Sequence, residues 1–379
     1  MEFPQNLQHK LDVRLNDKAL RKLSGPILQV DFSSNDYLGF AQSRSILDLS
    51  HQLLFDKNIL TNGATGSRLI SGNHQLYSEA EELLAQFHQT ESALIFNSGY
   101  DANVGFFSSV PQRSDIVLYD ELCHASIRDG IRLGTAKSFK FFHNDIGHLS
   151  ELIQKHKSAD NIYIVTESVF SMDGDSPDLS ELVQLSIKNN CYAVIDEAHA
   201  LGVFGNRGIG LVQQLNLQND VFARIMTFGK GLGCHGAAIV GSSQLTNYLI
   251  NFARSFIYTT GLPPHSIATI ITAYQLLRSN SDAQEQVLNN ILHFSRQKNS
   301  IGLKQIFVRS KSAIQSAIIP GNEKVQGVAA NLQQRGFDVK AILSPTVPEG
   351  QERLRFCLHS YNTTEEISNV LAALSNELF

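Results

Sequence analysis

Continuous apolar runs alternate with amphipathic segments through the middle of the chain. Apolar runs of four to eight residues predict buried strands, and apolar residues repeated every three or four positions predict helices. The predicted strands lie at 92–96, 116–119, 139–142, 162–166, 192–195, 221–226 and 237–240. The predicted helices include 75–87, 127–133, 149–156 and 179–188. This alternation predicts an α/β fold built on a mostly parallel, buried sheet.

The two ends of the chain follow other patterns. Leucines at 7, 11, 15, 20 and 23 recur at helical spacing, which predicts an amphipathic docking arm before a short strand at 27–32. Pro263 and Pro264 are predicted to begin one long helix that continues to about residue 298. A small α+β domain is then predicted from strands at 313–319, 339–342 and 353–358 and helices at 324–335 and 364–374. The predicted division is an arm over 1–45, a large domain over 46–262, and an interdomain helix with the small domain over 263–379.

Composition narrows the class of protein. The 379 residues are 42% hydrophobic and 18% charged, which is typical of a soluble globular protein of two or three domains. A net charge of −5 without a basic block argues against nucleic acid or an anionic membrane surface as a partner. No apolar run reaches about 18 residues, and the first ten residues carry no apolar targeting core. Four widely spaced cysteines suggest neither a disulfide framework nor a metal site, so we expect a cytoplasmic protein.

Polar side chains follow four of the predicted strands at the point where each strand ends. The pairs in chain order are Asp120 and His124, Glu167 and Ser171, Asp196 and His199, and Thr227 and Lys230. Ligands of parallel α/β sheets bind at the carboxyl ends of the strands. We therefore expect these strand ends to share one pocket.

Lys230 lies between two glycines, four residues after the end of a predicted buried strand. A lysine amine forms a Schiff base with carbonyl compounds, including pyridoxal phosphate. For Gly-Lys-Gly alone, a solvated loop lysine is the more common interpretation. Asp196 changes that balance, because a buried carboxylate suits the pyridine nitrogen of this cofactor, although the same residue also suits a helix N-cap.

The rest of a pyridoxal phosphate site has candidates in the same segments. His199 suits the phenolic oxygen of the ring, and His124 suits a stacking position above it. The turn Ser98-Gly99-Tyr100 precedes a predicted helix, whose first N–H groups can bind a phosphate, and Thr227 offers a hydroxyl. Arg353 and Arg355 alternate along one strand and share a face, so either can bind the carboxylate of an amino-acid substrate.

Five segments in this order resemble the α-oxoamine synthases, a branch of the fold-type I pyridoxal phosphate enzymes. They are Ser33-Ser34-Asn35-Asp36-Tyr37-Leu38-Gly39, Asn97-Ser98-Gly99-Tyr100, Phe170-Ser171-Met172-Asp173-Gly174-Asp175, Asp196-Glu197-Ala198-His199 and Thr227-Phe228-Gly229-Lys230-Gly231. The resemblance runs from about residue 33 to 358 and implies a homodimer with active sites at the subunit interface.

The resemblance also implies a role for each matched residue. Lys230 is implied to be the Schiff-base lysine and catalytic base, Asp196 the partner of the pyridinium, His199 the partner of the phenolic oxygen, and His124 the stacking residue. Other implied cofactor contacts are Glu167, Ser171, Ser98, Gly99, Tyr100 and Thr227, with Thr259 and Thr260 reaching the phosphate of the neighbouring subunit. The implied substrate contacts are Arg355 for the amino-acid carboxylate, Asn35, Arg21 for the acyl group, and His74.

Within the family, two further segments favour one reaction. Ser67-Arg68-Leu69-Ile70-Ser71-Gly72 with His74, and Pro345-Thr346-Val347-Pro348, resemble the members that condense L-alanine with pimeloyl-CoA or pimeloyl-acyl carrier protein in biotin biosynthesis. The sequence departs from the family pattern at two places that bear on the choice of acyl chain. His235 stands where relatives have a small residue, and the segment between Arg21 and Asp31 is short. The alternatives are a member with another amino acid or acyl thioester, such as a glycine C-acetyltransferase, an aminotransferase, or a non-catalytic subunit.

Overall fold

The computed structural model describes residues 3–21, 23 and 29–379. Helices α1–α14 span Gln5–Asn16, Arg44–Asp56, Gln75–Phe87, Gly99–Ser109, Ala125–Leu133, Ile146–Lys155, Leu179–Lys188, Leu211–Gln214, Ser243–Phe252, Arg254–Ile257, Pro264–Ser279, Asp282–Ser300, Asn322–Gln334 and Thr364–Leu378. Strands β1–β12 span Val30–Asp31, Ser92–Phe96, Ile116–Asp120, Lys137–Phe141, Ile162–Glu167, Tyr192–Asp196, Ala223–Thr227, Ala237–Gly241, Ile314–Ile318, Phe337–Asp338, Lys340–Ile342 and Arg353–Cys357. Within this described part, no helix is long and apolar enough to cross a membrane.

The chain divides into two compact units. One unit comprises the described residues up to Ser34 together with Met172–Asp175 and Gln286–Phe379, and the other comprises Asn35–Ser171 and Ser176–Glu285. The three-part division at residues 45 and 262 stays a prediction.

A seven-stranded sheet forms the centre of the larger unit. Its strand order is β2-β8-β7-β6-β5-β3-β4. The five strands from β7 to β4 are parallel to one another, whereas β8 pairs antiparallel with both β2 and β7. The predicted α/β class with a mostly parallel seven-stranded sheet is confirmed.

Helices cover both faces of this sheet and account for the continuous apolar strands. One core contains Phe106 and Ile127 from α4 and α5 against strands that include β3 and β6. The opposite core contains Leu149 and Leu182 from α6 and α7. Each fully buried side chain of this kind contributes about 1.5–3 kcal/mol through removal of apolar surface from water. Because both faces of β5 and β6 are buried, these strands place their polar residues only at their ends.

The smaller unit is an α+β assembly. Strands β11, β12 and β9 form an antiparallel sheet in that order, and β1 pairs parallel with β10. Helix α14 begins with a capping box in which Thr363 and Glu366 satisfy each other's backbone N–H groups. Arg355 is a buried residue in the middle of β12.

Several predicted boundaries were wrong. The single helix from Pro263–Pro264 to about residue 298 is two helices, because Asn280 adopts an extended conformation and its side chain accepts a hydrogen bond from the N–H of Asp282, 2.6 Å away. The predicted helix 7–23 ends at Asn16, and Lys18 has a positive φ of 52°. Only Val30–Asp31 of the predicted strand 27–32 is a strand, and residues 27 and 28 lie outside the described residues. Helices α9 and α10 were not predicted.

Candidate active site

A pocket of about 140 Å³ lies at the carboxyl ends of neighbouring strands in the larger unit. The residues that line it come from the ends of β5, β6 and β7 and from the starts of the helices α4 and α5. They are Gly99, Tyr100, Asn103, His124, Ser126, Glu167, Asp196, Ala198, Thr227 and Lys230. Each of the four predicted strand ends contributes at least one residue to this pocket, whereas Asp120, Ser171 and His199 are not among the residues that line it.

Asp196 is a buried carboxylate that the surrounding chain holds at two points. Its Oδ2 accepts a hydrogen bond from Asn103 Nδ2 at 2.9 Å, and its Oδ1 accepts one from the N–H of Ala198 at 2.9 Å. Asn103 Nδ2 also donates to Ser126 Oγ at 3.0 Å. These contacts fix the carboxylate in the pocket wall, where it can face a positively charged group of a ligand.

His124 is the N-cap of α5 and is held by Ser126 and Glu167. Its Nδ1 accepts a hydrogen bond from the N–H of Ser126 at 3.2 Å, and its own N–H donates to Glu167 Oε1 at 2.6 Å. Part of the His124 surface remains exposed, but burial of the rest lowers the pKa of its imidazole, and the charge of Lys230 lowers that pKa further. The ring is therefore neutral near pH 7 and can lie flat against an aromatic ligand.

Glu167 is buried beside a second carboxylate. Burial, followed by the neighbouring charge of Asp196, raises the pKa of Glu167 to about 8. Glu167 is consequently protonated at neutral pH.

Lys230 reaches the pocket from the turn after β7. Its Nζ lies 2.8 Å from His199 Nε2, and His199 Nδ1 lies 2.7 Å from Tyr37 Oη. His199 is itself buried and follows β6 by three residues. The amine of Lys230, the imidazole of His199 and the carboxylate of Asp196 thus lie together at the carboxyl ends of β6 and β7.

The start of α4 forms the other wall of the pocket. Ser98 is the N-cap, and its Oγ accepts from the N–H of Asp101. Gly99 packs against Thr227 so closely that a Cβ at this position would lie 2.6 Å from Thr227 Oγ1. Glycine therefore keeps the first backbone N–H groups of an 11-residue helix open to the pocket, where they can bind an anion.

The remaining predicted site residues are placed as follows. Thr259 and Thr260 accept hydrogen bonds from Asn97 Nδ2 at 3.0 and 2.7 Å, through Oγ1 and the carbonyl oxygen respectively, and His74 lies 3.3 Å from the carbonyl oxygen of Leu262. These residues, Ser98 and Ser171 are not among those that line the pocket.

The predicted substrate residues lie in both units. Asn35 belongs to the larger unit, and its Oδ1 lies 3.2 Å from Tyr37 Oη. Arg21, in the smaller unit, donates to Thr346 Oγ1 at 3.4 Å, and Arg353 forms an ion pair with Asp173 there.

Asn103, Ser126 and the role of Tyr37 were not predicted from the sequence. Asn103 follows Gly99 by four residues and so lies on the same face of α4. A polar residue at this spacing from a predicted anion-binding helix start was the signal that pointed to it. Tyr37 was part of a quoted motif, but no chemistry in the sequence separated it from an ordinary core tyrosine.

The pocket fits pyridoxal phosphate by the chemistry of its donors. Lys230 offers an amine for the aldehyde, Asp196 a buried anion for the pyridinium, and His124 a neutral ring for stacking. The Gly99 contact to Thr227 keeps the helix start open, as a phosphate requires. All of these groups line one cavity.

Comparisons with known proteins agree with this fit. The model of the aminotransferase class I and II family matches residues 28–374. The chain is 40% identical to the 8-amino-7-oxononanoate synthase of Emericella nidulans, with 98% of this chain and 95% of that protein covered. Its fold matches an 8-amino-7-oxononanoate synthase from Francisella tularensis with a TM-score of 0.79 and 27% identity, over 93% of this chain and 98% of that chain.

A third relative adds the cofactor. A serine palmitoyltransferase (SPT) solved with pyridoxal phosphate (PLP) matches with a TM-score of 0.89 and 25% identity, over 98% of this chain and 96% of that chain. The resemblance drawn from the five sequence segments is confirmed. The chain belongs to the aminotransferase class I and II family and, within it, to the α-oxoamine synthases.

Proposed function

We propose that this chain catalyses the PLP-dependent condensation of L-alanine with a pimeloyl thioester, which yields 8-amino-7-oxononanoate, carbon dioxide and a free thiol in biotin biosynthesis. The carrier of the pimeloyl group is coenzyme A or acyl carrier protein. One observation carries the proposal: Lys230, Asp196 and His124 line a single pocket in a chain that is 40% identical to an 8-amino-7-oxononanoate synthase over nearly its full length.

PLP, when bound, supplies an electron sink that stabilises negative charge at the α-carbon of an amino acid. Lys230 is the covalent attachment point of the cofactor, and it also takes the proton from the α-carbon of alanine and later returns one. Asp196 holds the proton at the pyridine nitrogen, because a buried anion stabilises the charged form of its neighbour. The two hydrogen bonds from Asn103 and Ala198 keep the Asp196 carboxylate in place.

Other residues bind the cofactor and hold it in its orientation. The first N–H groups of α4, at Gly99 and Tyr100, hold the phosphate, together with the Thr227 hydroxyl. His124 covers one face of the ring, and His199 holds its phenolic oxygen. Ser98, Glu167 and Ser171 complete this side of the site.

The substrate groups are assigned to residues that the chain matches to its family. Arg355 binds the alanine carboxylate through paired N–H donors. Arg21, Asn35 and His74 contact the substrates, and the exposed His235 borders the entrance for the acyl chain. The active form is a homodimer in the cytoplasm, in which Thr259 and Thr260 bind the phosphate of the neighbouring subunit.

A panel of substrates tests the proposal. The purified chain, loaded with PLP, is mixed with alanine, glycine or serine and with acetyl, pimeloyl or palmitoyl thioesters of coenzyme A and of acyl carrier protein, and thiol release is recorded. Thiol release that requires both alanine and a pimeloyl thioester is expected. Preference for another pair, or amino transfer from alanine to a 2-oxo acid without thiol release, contradicts it.

A further inference from the structure

Tyr37, His199 and Lys230 form a chain of two short contacts at the edge of the pocket. Tyr37 Oη lies 2.7 Å from His199 Nδ1, and His199 Nε2 lies 2.8 Å from Lys230 Nζ. Tyr37 has no exposed surface, and His199 is 4% exposed. Bulk water therefore does not compete for the contact between the hydroxyl and the ring, and its geometry is fixed by the fold.

Asn35 Oδ1 lies near the phenolic hydroxyl of Tyr37, as does His199 Nδ1. Asn35 Oδ1 lies 3.2 Å from Tyr37 Oη, which is 0.5 Å farther than His199 Nδ1. A hydroxyl donates only one proton. An imidazole nitrogen, with an ordinary pKa of about 6.5, is a much stronger base than an amide oxygen. His199 Nδ1 is both the nearer acceptor and the stronger base, so the Tyr37 hydroxyl donates its proton to this nitrogen.

A neutral imidazole carries a single proton, on one nitrogen or the other. When Nδ1 accepts from Tyr37, that proton lies on Nε2, the nitrogen that faces Lys230 Nζ. An N–H donor in this position repels an ammonium group and favours an amine whose lone pair is able to accept. It also presents a donor to the phenolic oxygen of a bound ring.

We propose that Tyr37 is a positioning residue for the reaction, which fixes His199 in the Nε2–H tautomer and thereby favours the free-base form of Lys230. The inference rests on the proposed function for the roles of Lys230 and His199, and it adds Tyr37, which reaches the Lys230 amine through His199. The free amine is the form that attaches the cofactor and accepts a proton from the substrate.

Other titratable groups also influence the protonation of Lys230. His124, Glu167 and Asp196 line the same pocket, and Asp36 is the neighbour of Tyr37 in the chain. The Asp196 carboxylate favours the ammonium form, whereas protonated Glu167 and neutral His124 carry no charge. All four groups are retained when only the Tyr37 hydroxyl is removed, so a comparison of variants isolates that hydroxyl.

The tautomer of His199 can be measured directly by NMR in the wild-type protein without cofactor. The chain is labelled with ¹⁵N-histidine, and the two ring nitrogens of His199 are assigned by comparison with the His199→Asn variant. A protonated Nε2 and an unprotonated Nδ1 at pH 8 are expected. The opposite tautomer overturns the proposal, whether or not any Tyr37 variant folds.

A matched pair of variants tests the consequence for Lys230. Tyr37→Phe removes the proposed donor, and Tyr274→Phe removes a buried hydroxyl that lies 2.9 Å from a different buried histidine, His88. The rate at which PLP attaches to the cofactor-free protein is followed by absorbance across pH 6–10. Tyr37→Phe is expected to move the midpoint of this pH profile upward by about half a unit or more, while Tyr274→Phe leaves it unchanged.

Equal midpoints in all three proteins, or an equal shift in both variants, overturn the proposal. Failure of the wild-type chain to take up PLP refutes the proposed function instead, and the tautomer measurement then still decides the role of Tyr37.

Discussion

Arg224 and Glu197 form an ion pair from which solvent is completely excluded. Arg224 Nη1 lies 3.7 Å from Glu197 Oε2, and neither side chain has any exposed surface. Glu197 directly follows Asp196 at the end of β6, and Arg224 belongs to β7, the strand that leads to Thr227 and Lys230. The pair therefore ties together the two strands that carry the proposed partners of the cofactor.

Removal of one partner of this pair is predicted to be costly. Glu197→Gln leaves the Arg224 guanidinium buried without a counter-charge, so the free energy of unfolding is expected to fall by about 3–5 kcal/mol. Urea unfolding of the cofactor-free protein measures the change. The exposed pair Arg44–Asp48 provides the control, since Asp48→Asn should leave the unfolding midpoint unchanged. An equally stable Glu197→Gln protein contradicts the prediction.

The contact between Gly99 and Thr227 predicts a defect in cofactor binding. Gly99→Ala places a Cβ 2.6 Å from Thr227 Oγ1, which forces the helix start and the threonine apart and weakens PLP binding by about 1–3 kcal/mol. Fluorescence titration of the cofactor-free protein measures the dissociation constant. Gly63→Ala is the control, because nothing lies within 4 Å of its Cβ position. Equal affinity in the two variants would argue against phosphate binding at this helix.

The buried carboxyl group of Glu167 predicts a pH dependence of stability. Its pKa is raised to about 8, so between about pH 4.5 and 8 the folded chain binds a proton that the unfolded chain has lost. The contribution of Glu167 to the free energy of unfolding consequently falls as the pH rises through this range. Measurements between about pH 7 and 8 lie above the titration of unfolded histidines near pH 6.5 and below that of unfolded thiols near pH 8.5.

Glu167→Gln is predicted to reduce this fall, because the amide keeps the Oε1 acceptor for the His124 N–H but cannot ionise. Glu79→Gln, at an exposed site, should retain the wild-type slope. A slope that is unchanged in Glu167→Gln shows that this carboxyl group is already ionised at pH 7.

Arg355 is predicted to act on alanine binding. Arg355→Ala removes a charged, paired donor and is expected to raise the KM for alanine by a factor that corresponds to about 1.5–3 kcal/mol, with a smaller effect on the KM for the thioester. Steady-state kinetics with each substrate varied in turn measures both constants. A change confined to the thioester KM would reassign Arg355 to the acyl side.

Lys230 is predicted to be indispensable for turnover and dispensable for folding. Lys230→Ala should lower kcat by about four orders of magnitude or more, since both the attachment point and the base are lost. Circular dichroism checks the fold. In the wild-type protein, borohydride reduction followed by peptide mass spectrometry should find the cofactor on Lys230, and a label on another lysine contradicts the assignment.

The sequence predicted those elements whose apolar pattern is continuous. Strand Ser92–Phe96 and helix Leu179–Lys188 have the predicted bounds, because burial on one or both faces determines their pattern. The break at Asn280 was missed because apolar positions continue on both sides of it, whereas the extended Asn280 ends one helix and its side chain binds the first N–H of the next. The end of α1 at Asn16 was also missed. Its leucines at 7, 11 and 15 are exposed, so their helical spacing does not mark a buried face and gives no sign of where the helix ends.

The same limit applies to the site. Asp196, His124 and Lys230 could be predicted because their residue types follow strands whose ends must converge. Asn103 and Tyr37 were missed because their importance lies in contacts across 93 and 162 residues of sequence, and for Asn103 the spacing from Gly99 was the one local signal. Pattern within a segment does not reveal such a partner.

The central claim is that this pocket performs a decarboxylative condensation, and its stoichiometry is the most direct test. The PLP-loaded wild-type chain is supplied with carboxyl-labelled L-alanine and pimeloyl-CoA, and labelled carbon dioxide, free thiol and 8-amino-7-oxononanoate are quantified together. The account predicts that the three products appear in a ratio of about 1:1:1, with none formed when either substrate is omitted. Pyruvate formation in place of carbon dioxide, or thiol release without 8-amino-7-oxononanoate, would contradict it.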